Sequence, residues 1–141
     1  MITKNLLYKK CKRSMIKEEI DQTIELLRDM LNKNSATMSV SANQFGIDES
    51  ICIIRTGREV VLVNPEIIEA SEETFPFHEG CLSFPNTYVK VNRHKRIVVK
   101  SDSGIEEFIY RDFDNVSNIE LACVQHEIDH LNGLTMFDRK K

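Results

Sequence analysis

The sequence predicts an α+β fold in which small antiparallel sheets wrap around a buried C-terminal helix, with an amphipathic helix near the N-terminus. Three observations lead there. Apolar residues recur at helical spacing over residues 14–32, and short β-rich runs fill the middle of the chain. The segment from Ser117 to Leu131 is apolar on nearly every face. A helix without a polar face is expected to be buried, with the sheet wrapped around it.

The chain is 141 residues long, 41% hydrophobic and 29% charged, which fits one soluble domain, residues 1–141, around a single core. A net charge of −3 argues against a nucleic-acid partner, since the basic start (Lys9, Lys10, Lys12, Arg13) is short and local. No apolar run approaches the ~20 residues that span a bilayer, so no membrane partner is expected. The opening Met1-Ile2-Thr3-Lys4-Asn5 lacks the apolar stretch of a secretory signal. Cys11, Cys52, Cys81 and Cys123 form no CxxC pair and read as free thiols or a metal ligand in a reducing compartment, the cytoplasm.

In the first helix Ile16, Ile20, Ile24, Leu27 and Leu31 share one face, with Glu18, Glu19, Asp21, Glu25 and Arg28 between them. Asn32-Lys33-Asn34-Ser35 ends it. The runs Ile51-Cys52-Ile53-Ile54, Val60-Val61-Leu62-Val63 and Glu66-Ile67-Ile68-Glu69 read as strands, the last two separated by Pro65. Val89-Lys90-Val91 and Arg96–Lys100 follow, and Asp102-Ser103-Gly104 turns the chain into Glu106–Tyr110 as a hairpin. For the last helix, Ser117 with Glu120 predicts a capping box and Gly133 the stop.

That helix carries His126-Glu127-Ile128-Asp129-His130. Residues four apart share a helix face, so the two imidazoles can hold one metal ion and Glu127 beside the first can reach its water as general base; the other reading of the pentapeptide is a solvated helix face with two unrelated histidines. Two histidines on a buried helix also need partners, and a metal satisfies both. A catalytic site wants a third side chain, for which Cys81, His78 and His94 are the candidates.

Cys81 stands in Glu79-Gly80-Cys81-Leu82-Ser83, where Gly80 lets the backbone approach an ion and the Leu82 N–H points at a substrate oxygen. Together with Gln125-His126-Glu127-Ile128-Asp129-His130, this resembles the peptide deformylases, whose signatures are GxGxAAxQ, EGCxS and QHExDH. The second and third are present in full. The first is degraded to Thr37-Met38-Ser39-Val40-Ser41-Ala42-Asn43-Gln44, with Thr37 and Ser39 at the two glycines and Ser41 at the first alanine. The resemblance runs from about residue 14 to the C-terminus.

What the resemblance implies is specific. Cys81, His126 and His130 hold one divalent ion per chain, Fe²⁺ in the cell, with Zn²⁺ or Ni²⁺ able to substitute. The ion lowers the pKa of its water toward ~7, and Glu127 takes the proton as water attacks a formyl carbon. The Gln44 side-chain amide and the Leu82 backbone N–H receive the charge on the formyl oxygen, each worth a factor of ~10²–10³. The substrate is the N-formyl-methionine of nascent polypeptides, and formate is released.

Ile119, Ala122, Cys123 and His126 are spaced i, i+3, i+4, i+7 and share the face beside the metal. With Met38 and the aliphatic part of Ser83-Phe84 they are expected to line an apolar slot for the first side chain, the other reading of the stripe being core packing. Thr37 and Ser39 are expected to crowd the strand edge on which a peptide pairs. Only eight residues follow Gly133, so a transient ribosome contact would form without the C-terminal extension of bacterial relatives; this resembles short, phage-type members. Glu79 is expected to pair with Arg93, and His78 and His94 to lie on the surface. Two other readings differ in class. A HExxH metalloprotease would draw its third ligand from beyond His130, where there is no His or Glu. A catalytically silent relative that binds formylated peptides rests on the degraded first motif.

Overall fold

The computed structural model describes residues 2–140. Along the chain these form α1 (Lys17–Lys33), β1 (Ser39–Ser41), a 3-10 turn (Ala42–Phe45), β2 (Ile51–Arg55), β3 (Glu59–Val63), β4 (Glu66–Ala70), β5 (Thr74–Cys81), β6 (Phe84–His94), β7 (Arg96–Ser101), β8 (Gly104–Ile109), α2 (Asn115–Leu131) and a second 3-10 turn (Met136–Arg139). The strands make antiparallel sheets in the orders β1-β2-β3 and β4-β7-β8, plus the long hairpin β5-β6. This is the α+β arrangement expected. No described helix is long and apolar enough to cross a membrane.

The run Ile51-Cys52-Ile53-Ile54 is continuously apolar because β2 is covered on both faces. Ile51 and Ile53 pack with Leu27 and Leu31 of α1, whereas Cys52 and Ile54 pack with Leu121, Ala122, Val124 and Ile128 of α2. Strand side chains alternate, so the neighbouring strand is sorted the same way. In β1, Val40 joins the α1 side, which turns Ser39 and Ser41 toward α2. This alternation places the first motif against the histidine helix.

Both predicted helix starts shift. α1 begins at Lys17 rather than residue 14, because Ser14 is held elsewhere: Asn64 grips its backbone N–H and C=O at 2.7 and 2.8 Å. α2 is capped by Asp114, whose carboxylate accepts from Ser117 N at 3.0 Å. The expected Ser117–Glu120 capping box is therefore not formed, and Glu120 instead accepts from Arg58 at 3.0 Å. An N-cap of this kind contributes about 1 kcal/mol wherever it is placed. Gly133 does follow α2 with φ 82°, and a Cβ there would lie 2.8 Å from the Lys9 backbone. The N-terminal segment passes so close because Cys11 N–H caps the Leu131 carbonyl at 2.8 Å.

Candidate active site

Three parts of the chain converge on one face of α2. Cys81 arrives at the end of β5, where a register shift between Gly80 and Cys81 re-aims the side chain. Cys81 Sγ, His126 and His130 then offer donor atoms that all lie within 4.8 Å of one another. Sγ is 3.7 Å from His130 Nε2, and the imidazole ring centroids are 4.4 Å apart. Tetrahedral coordination with Zn–S ≈ 2.3 Å and Zn–N ≈ 2.0–2.1 Å puts donors roughly 3.5 Å apart, so this set fits a divalent ion.

The thiols separate by chemistry as well as position. Burial pushes the Cys11 and Cys123 thiols up to about 12. At Cys81 burial also works against ionisation, but hydrogen bonds from His126 and His130 outweigh it and pull the thiol down to about 6. Cys81 is thus the cysteine that reaches thiolate near neutrality, the form a metal binds.

Each histidine is oriented through its Nδ1. His126 Nδ1 donates to Glu79 Oε1 at 2.7 Å. Glu79 is gripped in turn by Arg93, whose Nη1 also reaches Asp129 Oδ2 at 2.7 Å. Burial raises the Glu79 carboxyl, but Arg93 and His126 hold it down at about 2. The expected Glu79–Arg93 pair is present and belongs to a larger buried network. His130 Nδ1 lies 3.0 Å from Glu127 Oε1 and 3.1 Å from Ser41 Oγ. Glu127 is fully buried, yet the nearby His130 and His126 and the Ser39 hydroxyl lower its pKa against that burial. Both outer arrangements leave the Nε2 atoms free to hold an ion.

A cavity of about 340 Å³ opens beside this cluster, and Cys81, His126 and Glu127 form part of its wall. Met38, Ser39, Ile119, Ala122 and Cys123 all line it, as does Leu82 in the turn after Cys81. Gln44 is not in the wall. Its amide is buried behind Cys81, donating to Ser83 Oγ at 2.9 Å and lying 3.5 Å from Cys81 Sγ.

Some details differ from the sequence reading. The Gly80 position is filled by the Tyr88 ring, 2.8 Å from where a Cβ would stand, so glycine admits an aromatic neighbour rather than an ion. Ser39 does not crowd the pairing edge: its hydroxyl turns inward and donates to Glu127 Oε2 at 2.6 Å. Among the described residues, the edge of β1 opposite β2 is unpaired in the sheet. His78 is exposed and lines the cavity, whereas His94 is half-buried, with Nδ1 2.6 Å from the Ser71 carbonyl. Neither belongs to the three-donor cluster. Two residues have contacts that motif spacing did not disclose: Gln125 brackets the His94 backbone at 2.9 and 3.0 Å, and Ser41 reaches His130, a placement signalled by the two-residue period it shares with Ser39.

A sequence model of the polypeptide deformylase family matches residues 1–141. The chain is 35% identical over 125 residues to the peptide deformylase of Thermotoga neapolitana, covering 88% of this chain and 74% of that one. It is 41% identical over 118 residues to that of Heliobacterium modesticaldum, covering 81% and 75%. The crystal structure of peptide deformylase from Thermotoga maritima superposes with a TM-score of 0.81 at 32% identity, over 96% of this chain and 91% of that one.

Proposed function

This chain belongs to the polypeptide deformylase family of metal-dependent hydrolases, and we propose that the cavity beside α2 is where it removes the N-terminal formyl group from nascent peptides. The observation that carries this reading is that Cys81, His126 and Glu127 open into one cavity, with His130 completing the donor set behind them. Bond cleavage at a formyl amide needs an activated water, a proton carrier and a place for charge, and each has a residue here.

Cys81, His126 and His130 are the proposed ligands, and a thiolate with two imidazoles suits Fe²⁺, with Zn²⁺ or Ni²⁺ as substitutes. When bound, the ion supplies Lewis-acid polarisation and lowers the pKa of water. Glu127, kept as a carboxylate, takes the water proton and returns it to the departing amine. The Leu82 N–H and Gln44 Nε2 receive charge developing on the formyl oxygen, which displaces the long Gln44–Cys81 contact. Ile119, Ala122 and Cys123 take the first side chain, the methionine of formyl-Met. The unpaired edge of β1 accepts the peptide backbone as an added strand. Such substrates arise where proteins are synthesised, which places the enzyme in a translating cytoplasm with transient access to ribosomes.

The test is formate release from a formyl-Met peptide by iron-loaded protein under anaerobic conditions, beside an acetyl-Met peptide. Release from the formyl peptide alone is expected. Equal rates with both, or none above background, would overturn the reading.

A further inference from the structure

We propose that Ser39 and Ser41, alternate residues of β1, are a pair of positioning residues: Ser39 holds the carboxylate of Glu127, and Ser41 fixes the ring of His130. The proposal rests on the deformylase reading for the role of Glu127, but the contacts stand by themselves. Both serines replace side-chain-poor residues of the degraded first motif, and both turn toward α2 because Val40 between them faces α1.

The two hydroxyls act in opposite senses. Glu127 is acceptor-only as a carboxylate, so Ser39 Oγ–H donates to Oε2 at 2.6 Å. With Oε1 drawn to His130 Nδ1 at 3.0 Å, both carboxylate oxygens are anchored and the plane of the carboxylate is set. Ser41 Oγ has one proton, and two acceptors compete for it: Asn43 Oδ1 at 2.8 Å and Gln44 Oε1 at 3.3 Å. The amide oxygens are assigned by their other bonds. Asn43 Nδ2 donates to the His130 carbonyl at 2.7 Å, and Gln44 Oε1 accepts from Ser41 N at 2.8 Å. Ser41 therefore presents a lone pair to His130 Nδ1 at 3.1 Å. That nitrogen must carry the proton, and Nε2, facing Cys81, keeps its lone pair for a metal. The 3-10 turn after β1 thus grips His130 by its side chain and its main chain at once. Where the family motif has glycine and alanine, this chain supplies two polar struts from the same strand positions.

The test uses the full chain with zinc. Ser39→Ala should lower kcat about tenfold with KM within about threefold and zinc affinity unchanged, and Ser39→Thr, which keeps the hydroxyl, should recover most of the loss. Ser41→Ala should weaken zinc about tenfold in competition with a chelator. It should also loosen the Nδ1–H tautomer of His130 seen in long-range ¹H–¹⁵N spectra of the imidazoles. Ser39→Ala with kcat within twofold of the parent, or with its loss confined to KM, overturns the first strut. Ser41→Ala binding zinc within twofold overturns the second. If the parent protein releases no formate, the deformylase reading fails instead, while zinc affinity and the tautomer still decide the second strut.

Discussion

Glu79 Oε1 accepts from His126 Nδ1 at 2.7 Å while the same oxygen accepts from Arg93 Nη2 at 2.7 Å. One buried carboxylate oxygen thereby joins a candidate ligand to a structural guanidinium. Glu79→Gln preserves the shape but gives His126 a weaker acceptor. Zinc affinity should fall 10–100-fold in chelator competition, roughly the usual cost of losing a partner behind a ligand. Unchanged affinity would mean that His126 is held by packing alone.

Cys81→Ser should abolish or greatly weaken zinc binding, because the thiolate is the charged donor of the set. His78→Ala should leave affinity unchanged despite lining the cavity, and His94→Ala likewise. Dialysis against zinc followed by metal analysis separates these outcomes. A fully loaded Cys81→Ser protein would refute the ligand assignment.

Glu127→Ala should still bind zinc yet lose turnover by a factor of ~10²–10⁴, the usual contribution of a positioned proton carrier. Steady-state formate release measures it, and a rate within tenfold of the parent would require another base.

Ala122→Phe should fill the cavity wall beside His126 and raise KM for formyl-Met peptides, with less effect on a formyl-Gly peptide that places no side chain there. Unchanged kinetics with formyl-Met would put the first side chain elsewhere.

Stability should depend on pH through Glu79. Its carboxyl is depressed from the ordinary 4.5 to about 2, so its contribution is complete above the ordinary value and is lost as pH falls from about 4.5 toward 2. For metal-free protein this is on the order of 3 kcal/mol in urea unfolding across that interval. Arg93→Met should flatten the profile and cost roughly 3–5 kcal/mol at neutral pH, because the buried Glu79 would keep only His126 and the buried Asp129 only Arg139. A profile of unchanged slope in Arg93→Met would remove Arg93 as its cause.

Local pattern made much of this structure legible. Helical spacing revealed α1 and the histidine helix α2, and β-rich runs with turn residues revealed β2, β3, β4 and the β7–β8 hairpin. Motif spacing brought His126 and His130 forward, and the resemblance to the deformylases chose Cys81 from among Cys81, His78 and His94. Of the β5–β6 hairpin only Val89–Val91 was legible, since Thr74-Phe75-Pro76-Phe77-His78 mixes a proline with irregular burial and its partner lies beyond a turn. The cap of α2 was misplaced because Asp114 and Ser117 are both good capping residues, and propensity does not choose between them. Gln44 illustrates a different limit. Its presence was plain from the sequence, but the direction of its amide depends on Ser41 and Ser83, which only folding brings to it.

The double burial of β2 also sets the time on which this molecule opens. The strand is paired along both edges and covered on both faces, so no local fraying exposes its amide protons. Their exchange with solvent needs β1 or β3 to part from it while α1 or α2 lifts away, an event close to global unfolding. β8, at the end of its sheet, has one edge unpaired among the described residues and exchanges through small excursions. Deuterium uptake at Ile51–Ile54 is therefore a clock for the lifetime of the packing beneath α2, and a bound ion should slow it in proportion to its affinity for the closed form.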